Sequence, residues 1–329
     1  MSSASPTSAA PPASAVSSWN VRRLPGARGR VVLVTGGNAG IGYFVAEQLS
    51  ATGATVVLGS RDPARAELAM ASIRARVPGS RVRAVRMDLA DLSSLPAAVE
   101  ALARVLVIER LDAVVHNAGV ARDEPTRAET GDGHELMFGT NHLGHFALTR
   151  WLMPLLSAAP AARVVTVGSF AAKSERLDLG DLQSRKDYRP GPAYGRSKLA
   201  QMYFGMELDR RLRTARSTVA SVVVHPGGAL DSLTPSRPPL HVRTTGAALR
   251  AAPAALLVQG KRAGAWSAVR AVLDPDVRGG QLWGPRVFGL RGEPRPERVW
   301  KHLADASVAA RLWDASRDLT GIDPDPGAR

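Results

Sequence analysis

The sequence predicts one doubly wound α/β domain, an open parallel sheet with helices on both faces. Three observations carry that expectation. Between residues 30 and 115, short apolar, β-branched runs alternate with helical patterns in the order βαβαβαβ. The first of these runs, Arg30-Val31-Val32-Leu33-Val34-Thr35, passes at once into a glycine-rich turn and then a helical pattern. Later strand-like runs end in Ser60-Arg61, Asp88-Leu89, Asn117-Ala118-Gly119, Gly168-Ser169 and Pro226-Gly227.

The bulk numbers agree with a single globular domain and exclude several function classes. The chain has 329 residues, 45% of them hydrophobic, which is ample for a core. It has no cysteine, so disulfides, thiolate chemistry and cysteine-based metal sites are excluded, and a reducing cytoplasm is the expected location. No apolar run reaches the ~20 residues needed to span a bilayer, so no membrane span is expected. The net charge of +14 raises the question of a nucleic-acid partner. Its arginines are spread along the whole chain among abundant Ala, Gly and Pro, a compositional habit more than a binding stripe, so no nucleic acid is expected. Residues 1–18 are rich in Ser, Ala and Pro without a cation or an apolar stretch; they read as a disordered tail, not a signal peptide. The expected layout is a disordered tail over 1–26, a domain over 27–320 and a disordered C-terminal tail over 321–329.

The elements follow in chain order. Gly36-Gly37-Asn38-Ala39-Gly40-Ile41-Gly42 joins the first strand to the helical pattern Phe44-Val45-Ala46-Glu47-Gln48-Leu49. A glycine turn so placed aims free backbone N–H groups and a helix N-terminus at a diphosphate; the competing account is an ordinary βα turn. A second strand, Thr55 to Gly59, ends at Ser60-Arg61, with Asp62 as N-cap and Pro63 as the first residue of a helix to Arg76. The third strand, Val82 to Met87, is followed by Asp88-Leu89 and a helix over Leu95 to Ile108. The fourth, Leu111 to Val115, runs into His116-Asn117-Ala118-Gly119.

One long helix is expected from Gly133 to Leu156, with Asn141 inside it. The Asn amide competes for backbone groups, so that position implies either local bending or a function. His142 and His145 have no carboxylate at metal-ligand spacing, and no metal is expected. A fifth strand, Arg163 to Val167, leads through a polar connection to a helix that carries Tyr194 and runs to about Leu212. The sixth strand is Thr218 to Val224. From Ala229 to about Gly260 the chain has no clear period, a candidate substrate lid. A helix over Ala265 to Leu273, a short strand at Gly280 to Trp283 and an amphipathic helix over Ala306 to Leu319 complete the domain.

Tyr194 and Lys198 stand out within that sixth-strand approach. Four residues apart on a helix, they share a face. A phenol near pKa ~10 is a poor proton donor and acceptor at neutral pH, and a nearby ammonium moves it toward the working range. Of the four tyrosines, only Tyr194 has a cation at the fourth residue onward: Tyr43 has Glu47, Tyr188 has Pro192 and Tyr203 has Glu207.

Taken together, Thr35-Gly36-x-x-x-Gly40-x-Gly42, Asp88, Asn117-Ala118-Gly119, Asn141, Ser169, Tyr194-x-x-x-Lys198 and Pro226-Gly227 resemble the short-chain dehydrogenase/reductase family over roughly residues 28 to 285. Thr140-Asn141-His142-Leu143-Gly144-His145-Phe146 and the long spacer before Tyr194 are similar to its retinol-dehydrogenase-like branch. The resemblance implies a Rossmann fold and a catalytic set of Asn141, Ser169, Tyr194 and Lys198. Tyr194 would exchange a proton with the substrate oxygen, Lys198 would lower its pKa and hold the nicotinamide ribose, Ser169 would hydrogen-bond the carbonyl, and Asn141 would hold a relay water. The implied cofactor residues are Thr35, Gly36, Asn38, Gly40, Ile41 and Gly42 at the diphosphate, Asp88, Leu89, Asn117, Ala118 and Gly119 on the adenosine side, and Pro226 and Gly227 at the nicotinamide. A homodimer or homotetramer is implied for many members, while some of this branch are monomers.

Two features refine that expectation. The site of the ribose-binding carboxylate of NAD enzymes holds Ser60, followed by Arg61, whose guanidinium suits a 2′-phosphate; NADP(H) is therefore the expected cofactor. The family often has Thr four residues after the Gly of its Pro-Gly pair, and here that position is Asp231, a carboxylate unfavourable beside a diphosphate unless turned away. Leu230, Leu233, Leu240, Leu256 and Leu257 suggest an apolar substrate, or core. The expected function is NADP(H)-dependent interconversion of a carbonyl and an alcohol. The rivals are a reductase of C=C bonds, as protochlorophyllide reductases are, and a non-catalytic cofactor-binding regulator on the same fold.

Overall fold

The computed structural model describes residues 19–106, 109–242, 246 and 253–327. Eight strands form one sheet in the order β3-β2-β1-β4-β5-β6-β9-β10. These are β1 (Val31–Thr35), β2 (Thr55–Ser60), β3 (Arg81–Arg86), β4 (Ala113–His116), β5 (Arg163–Val167), β6 (Ala220–Val224), β9 (Leu282–Val287) and β10 (Arg291–Glu297). All neighbouring pairs are parallel except β9 and β10. β1, β4, β5 and β6 are buried along nearly their whole length, as unbroken Val-rich runs covered on both faces must be.

Helices α1 (Gly40–Ala51), α2 (Pro63–Arg76), α7 (Lys261–Gly264) and α8 (Trp266–Leu273) cover one face. On the other lie α3 (Leu95–Leu106), α5 (Gly144–Ser157), α6 (Pro190–Thr214) and α9 (Ala306–Thr320). Local chemistry sets the boundaries. Asp62 caps α2 by accepting from Arg65 N at 3.1 Å, with Pro63 in the first turn. Asp305 caps α9 from Ser307 N and Val308 N, and Gly321 ends it in the left-handed region. Among the described residues no helix is long and apolar enough to cross a membrane.

The structure adds detail to the expectations at four places. The long helix expected over 133–156 starts at Leu136 and is widened inside: a single α turn, α4 (Leu136–Phe138), passes into a π turn over Gly139–Leu143 and then α5. Glu135 starts it by accepting from Met137 N and Phe138 N. The sheet is parallel as expected apart from one added edge strand, β10, which runs antiparallel to β9 and has no counterpart among the expected elements. Its sequence, Arg-Gly-Glu-Pro-Arg-Pro-Glu, has little strand propensity and is tolerated only because it pairs on one side.

Residues 19–26 and 321–327, expected within the two tails, are among the described residues. Residues 1–18 lie outside the described residues, but Trp19 and Leu24 pack against the core and the Arg270 guanidinium lies 5.3 Å from the Trp19 ring. The Ser/Ala/Pro bias ends at residue 18, and one Trp brings enough apolar surface to dock the strand of chain that follows. At the other end Ile322 packs on the core, Trp313 Nε1 donates to Asp323 at 3.1 Å, and Arg211 pairs with Asp325. Asp323 and Asp325 thus both have specific donors.

A second, two-stranded parallel ribbon, β7 (Ala229–Leu230) with β8 (Gln259–Gly260), ties together the two ends of the expected lid. Within it Arg237 grips Glu47 of α1 through two bonds of 2.6 and 3.0 Å. Residues 243–245 and 247–252 of the expected lid lie outside the described residues. Leu240 packs on the core, and Leu230, Leu256 and Leu257 are exposed.

Candidate active site

A cleft of about 660 Å³ opens at the carboxyl ends of β1, β2, β3 and β4, where the strand order reverses direction. Open α/β sheets bind ligands at this switch point. Thr35, Gly36, Asn38, Gly40 and Ile41 border it from the turn after β1, and Ser60, Arg61, Asp62 and Arg65 from the end of β2 and the start of α2. Asp88 and Leu89 follow β3, Asn117, Ala118 and Gly119 follow β4, and Tyr194 reaches it from α6.

The floor of the cleft is built by close approach. Thr35 Oγ1 accepts from Asn117 N at 2.9 Å and Ala118 N at 3.0 Å, and Asn117 Nδ2 donates to Thr35 O at 3.0 Å. These bonds stitch the ends of β1 and β4 together. Gly42 lies directly beneath: a Cβ there would come within 2.3 Å of Asn117 Nδ2 and 2.4 Å of Gly36 O. Gly36 itself has φ +64 and would put a Cβ 2.9 Å from Ala118 Cα. Gly42 therefore shapes the cleft without lining it. α1 begins at Gly40 with no side-chain cap and no acidic residue in its first turn, which leaves its N-terminal amides facing the cleft.

At the β2 end the Ser60 hydroxyl donates to Asp62 O at 3.0 Å and accepts from Asp62 N at 3.2 Å, folding the turn so that exposed Arg61 sits on the rim. Asp62 is committed to capping α2. Arg65, one helical turn on, adds a second guanidinium to the same rim, 3.5 Å from Asp62. Sequence reasoning missed Arg65, although its place four residues after Arg61 on the start of a helix was a readable signal.

The Tyr194 end is buried and densely bonded. Burial pushes the Tyr194 phenol above its ordinary pKa, against a smaller lowering by a hydrogen bond with Ser169. Ser169 also accepts from Ala171 N at 3.2 Å as the cap of a short 3₁₀ turn, Phe170–Ser174. Lys198 is buried, and that burial alone brings its pKa down to about 7. Its Nζ donates to Gln201 Oε1 at 2.5 Å, and Gln201 Nε2 donates to His116 O at 3.1 Å. The Lys198 ammonium is turned to Gln201, and the Tyr194 shift has burial as its larger cause and Ser169 as its smaller one. Gln201 is a second residue that sequence reasoning missed; its spacing of three from Lys198 on one helix was the available signal.

Asn141 explains the π turn. Its Oδ1 accepts from Val120 N at 2.7 Å, and its Nδ2 donates to Val120 O at 3.0 Å and Ser197 Oγ at 2.9 Å. The side chain is fully occupied with tying the turn after β4 to α6, and the widened helix places it there. Asn141 O accepts from His145 Nδ1 at 2.9 Å, and since a carbonyl only accepts, the imidazole proton is on Nδ1. Nε2 then accepts from Thr35 Oγ1 at 2.9 Å, and burial keeps the ring neutral, with a pKa of about 3.

Asn141 and Lys198 lie behind the cleft wall, where a Cβ on Gly119 would touch Asn141 Oδ1 at 3.2 Å and Lys198 Nζ at 3.7 Å, and Ser169, half-buried, stands beside Tyr194 and is hydrogen-bonded with it. Pro226 and Gly227 also fall outside the lining. Gly227 has φ +69 and is packed under Leu290 O, while Pro226 O accepts from Gln259 Nε2 at 2.9 Å. None of the five lid leucines borders the cleft, so the hint of an apolar pocket drawn from them has no support in this geometry.

Residues 30–237 match the sequence model of the short chain dehydrogenase family. Mouse (Mus musculus) retinol dehydrogenase 14 is 36% identical over 304 residues, covering 89% of this chain and 86% of the relative. The crystal structure of an uncharacterized Mycobacterium paratuberculosis protein superposes with a TM-score of 0.73 at 35% identity, covering 93% of this chain and 98% of that one. The active-site complex of Pseudomonas aeruginosa RhlG with NADP superposes with a TM-score of 0.58 at 26% identity, covering 78% and 94%.

Proposed function

The chain belongs to the short-chain dehydrogenase family of oxidoreductases, and on that premise we propose that it transfers hydride between NADP(H) and the carbonyl or alcohol carbon of an apolar small molecule. One observation carries the reading: Tyr194 borders the same cleft as the glycine turn and Arg61. The cleft fits a dinucleotide in its own terms. It has an uncapped helix N-terminus, glycines whose Cβ atoms would clash, and two guanidinium groups on one rim.

The bound nicotinamide supplies the hydride chemistry, and the chain's residues do the rest. Backbone amides of the turn after β1 and the first turn of α1 hold the diphosphate. Arg61, joined by Arg65, holds the 2′-phosphate, and the neutral Ser60 leaves room for it. That choice of cofactor agrees with the NADP complex among the similar structures. Tyr194, kept protonated at neutral pH by burial, donates its proton to the carbonyl oxygen during reduction. Ser169 hydrogen-bonds the same oxygen as charge develops on it. Lys198, held by Gln201, stands behind Gly119 as the source of positive charge for the alcohol-oxidising direction. The apolar substrate class rests on the likeness to a retinol dehydrogenase.

The test is a fluorescence titration with NADPH followed by a screen of apolar aldehydes, ketones and enones for NADPH consumption. Reduction of an apolar aldehyde or ketone is expected. Consumption with enones alone would replace the reading with C=C reduction, and tight NADPH binding without any turnover would leave only a cofactor-binding regulator.

A further inference from the structure

The parallel β7/β8 ribbon has a geometric consequence for the residues that leave it. Because Ala229 pairs with Gln259 and Leu230 with Gly260, the next residues on the two strands, Asp231 and Lys261, emerge side by side. They form an ion pair, with Lys261 Nζ 2.5 Å from Asp231 Oδ1. The backbone below is fixed independently of that pair: Lys261 N donates to Thr234 Oγ1 at 2.9 Å, and Thr234 Oγ1 donates to Leu230 O at 2.7 Å.

Lys261 also borders the cleft. α7, which it begins, packs on α1, and Gln48 Nε2 of α1 donates to Arg262 O at 3.0 Å. The ammonium therefore enters the cleft from the side where α7 packs on α1, the helix whose first amides are free. Asp231, its partner, does not border the cleft, is largely exposed, and has His241 Nδ1 3.7 Å away as a second, weaker neighbour. Asp231 is the residue that stands where the family often has a cofactor-contacting Thr. The carboxylate is turned from the cleft, and a cation reaches in from the other strand of the ribbon.

We propose that Lys261 is a diphosphate-binding residue of this chain, held in place by Asp231 and free to exchange that carboxylate for phosphate oxygens when a dinucleotide binds. The inference rests on the dinucleotide reading above and adds a residue to it. A largely exposed carboxylate holds an ammonium weakly, so the exchange costs little, while an ammonium on a phosphate inside a cleft gains a charge-assisted hydrogen bond. Asp231 thus competes with the ligand: it positions Lys261 and weakens binding at the same time.

The experiment measures dissociation constants of NADPH and NADH by fluorescence for the full chain, Lys261→Met, Asp231→Asn and the double variant, at low and high salt. Lys261→Met should weaken both cofactors by the same factor, about tenfold, and flatten the salt dependence. Asp231→Asn should tighten both by about threefold, and that gain should vanish when Lys261 is also Met. Lys261→Arg should restore most of the affinity. Equal melting temperatures among the variants establish that folding is not the cause, and should Lys261→Met not fold, the Asp231→Asn gain and its salt dependence still decide the matter. Loss of NADPH affinity alone would assign Lys261 to the 2′-phosphate and overturn the proposal, as would unchanged constants in every variant. A wild-type chain that binds neither cofactor overturns the dinucleotide reading and this inference together.

Discussion

The two ends of the cleft hold their charges in opposite ways. At the β2 rim Arg61 and Arg65 stand in solvent, and Asp62 beside them is spent on a helix cap. At the Tyr194 end Lys198 is 4% exposed, Asn141 is fully buried, and each polar atom named there has a partner inside the protein. Solvent screens the first set, so it selects between ligands by modest amounts. Desolvation amplifies the second, so it shifts pKa values, costs the fold stability and, under the proposed function, would govern rates. Under the proposed function, recognition and chemistry should therefore be separable by mutation.

The largest effect should come from the buried end. Tyr194→Phe removes the proton donor and should lower kcat by about a thousandfold or more while leaving NADPH affinity within about twofold. Near wild-type turnover by that variant would break the contrast at its root.

Lys198 offers a test in stability. Its pKa of about 7 in the fold lies far below that of the unfolded chain, ~10.4. The unfolded state therefore binds more protons between those values, and stability should rise with pH across that window. Below pH 7 the full cost of the buried cation is present. Lys198→Met, similar in length and without the charge, should melt above wild type at pH 7, by an amount that shrinks toward pH 10. A difference independent of pH would mean that packing, not charge, separates the two proteins.

The exposed rim should respond more gently. Wild-type protein should prefer NADP(H) over NAD(H) by at least about tenfold in kcat/KM, about 1.4 kcal/mol. Ser60→Asp combined with Arg61→Ala should reverse that order, and kcat with the preferred cofactor should change little. Equal use of both cofactors by wild type would remove selection from this rim. A smaller change still is expected for Asp62→Ala, about 1 kcal/mol in the urea unfolding free energy from the lost cap, with the cofactor preference retained. Deleting residues 1–18 should leave activity and melting temperature nearly unchanged, whereas a deletion that also removes Trp19 should lower the melting temperature, because the Trp19 ring is packed on the core.

The parts that could be read from the sequence were those with local causes. Val-rich runs, the Asp62 cap with Pro63, and glycines before α1 each carry their reason within a few residues, and all appear where expected. Most of the cleft lining follows, since it sits at strand ends. What escaped depended on distant partners. The π turn exists because Val120 takes both faces of the Asn141 amide, a contact 21 residues away. β10 exists because β9 offers it an edge, and the docking of 19–26 and 321–327 needed Arg270, Arg211 and Trp313. The direction of Lys198, toward Gln201, is a matter of rotamers that spacing cannot specify.

The sheet's two margins carry a consequence for how this protein behaves at high concentration. β10 ends one side with prolines at 294 and 296, so two of its seven residues have no amide hydrogen to offer a neighbour. β3 ends the other side, with Arg81, Arg83 and Arg86 exposed along it. A strand approaching either margin meets missing donors or a row of like charges, the two common defences against edge-to-edge stacking. Part of the large positive charge thus serves as insulation. Assembly of copies by adding strand to strand is thus disfavoured at both margins of the eight-stranded sheet.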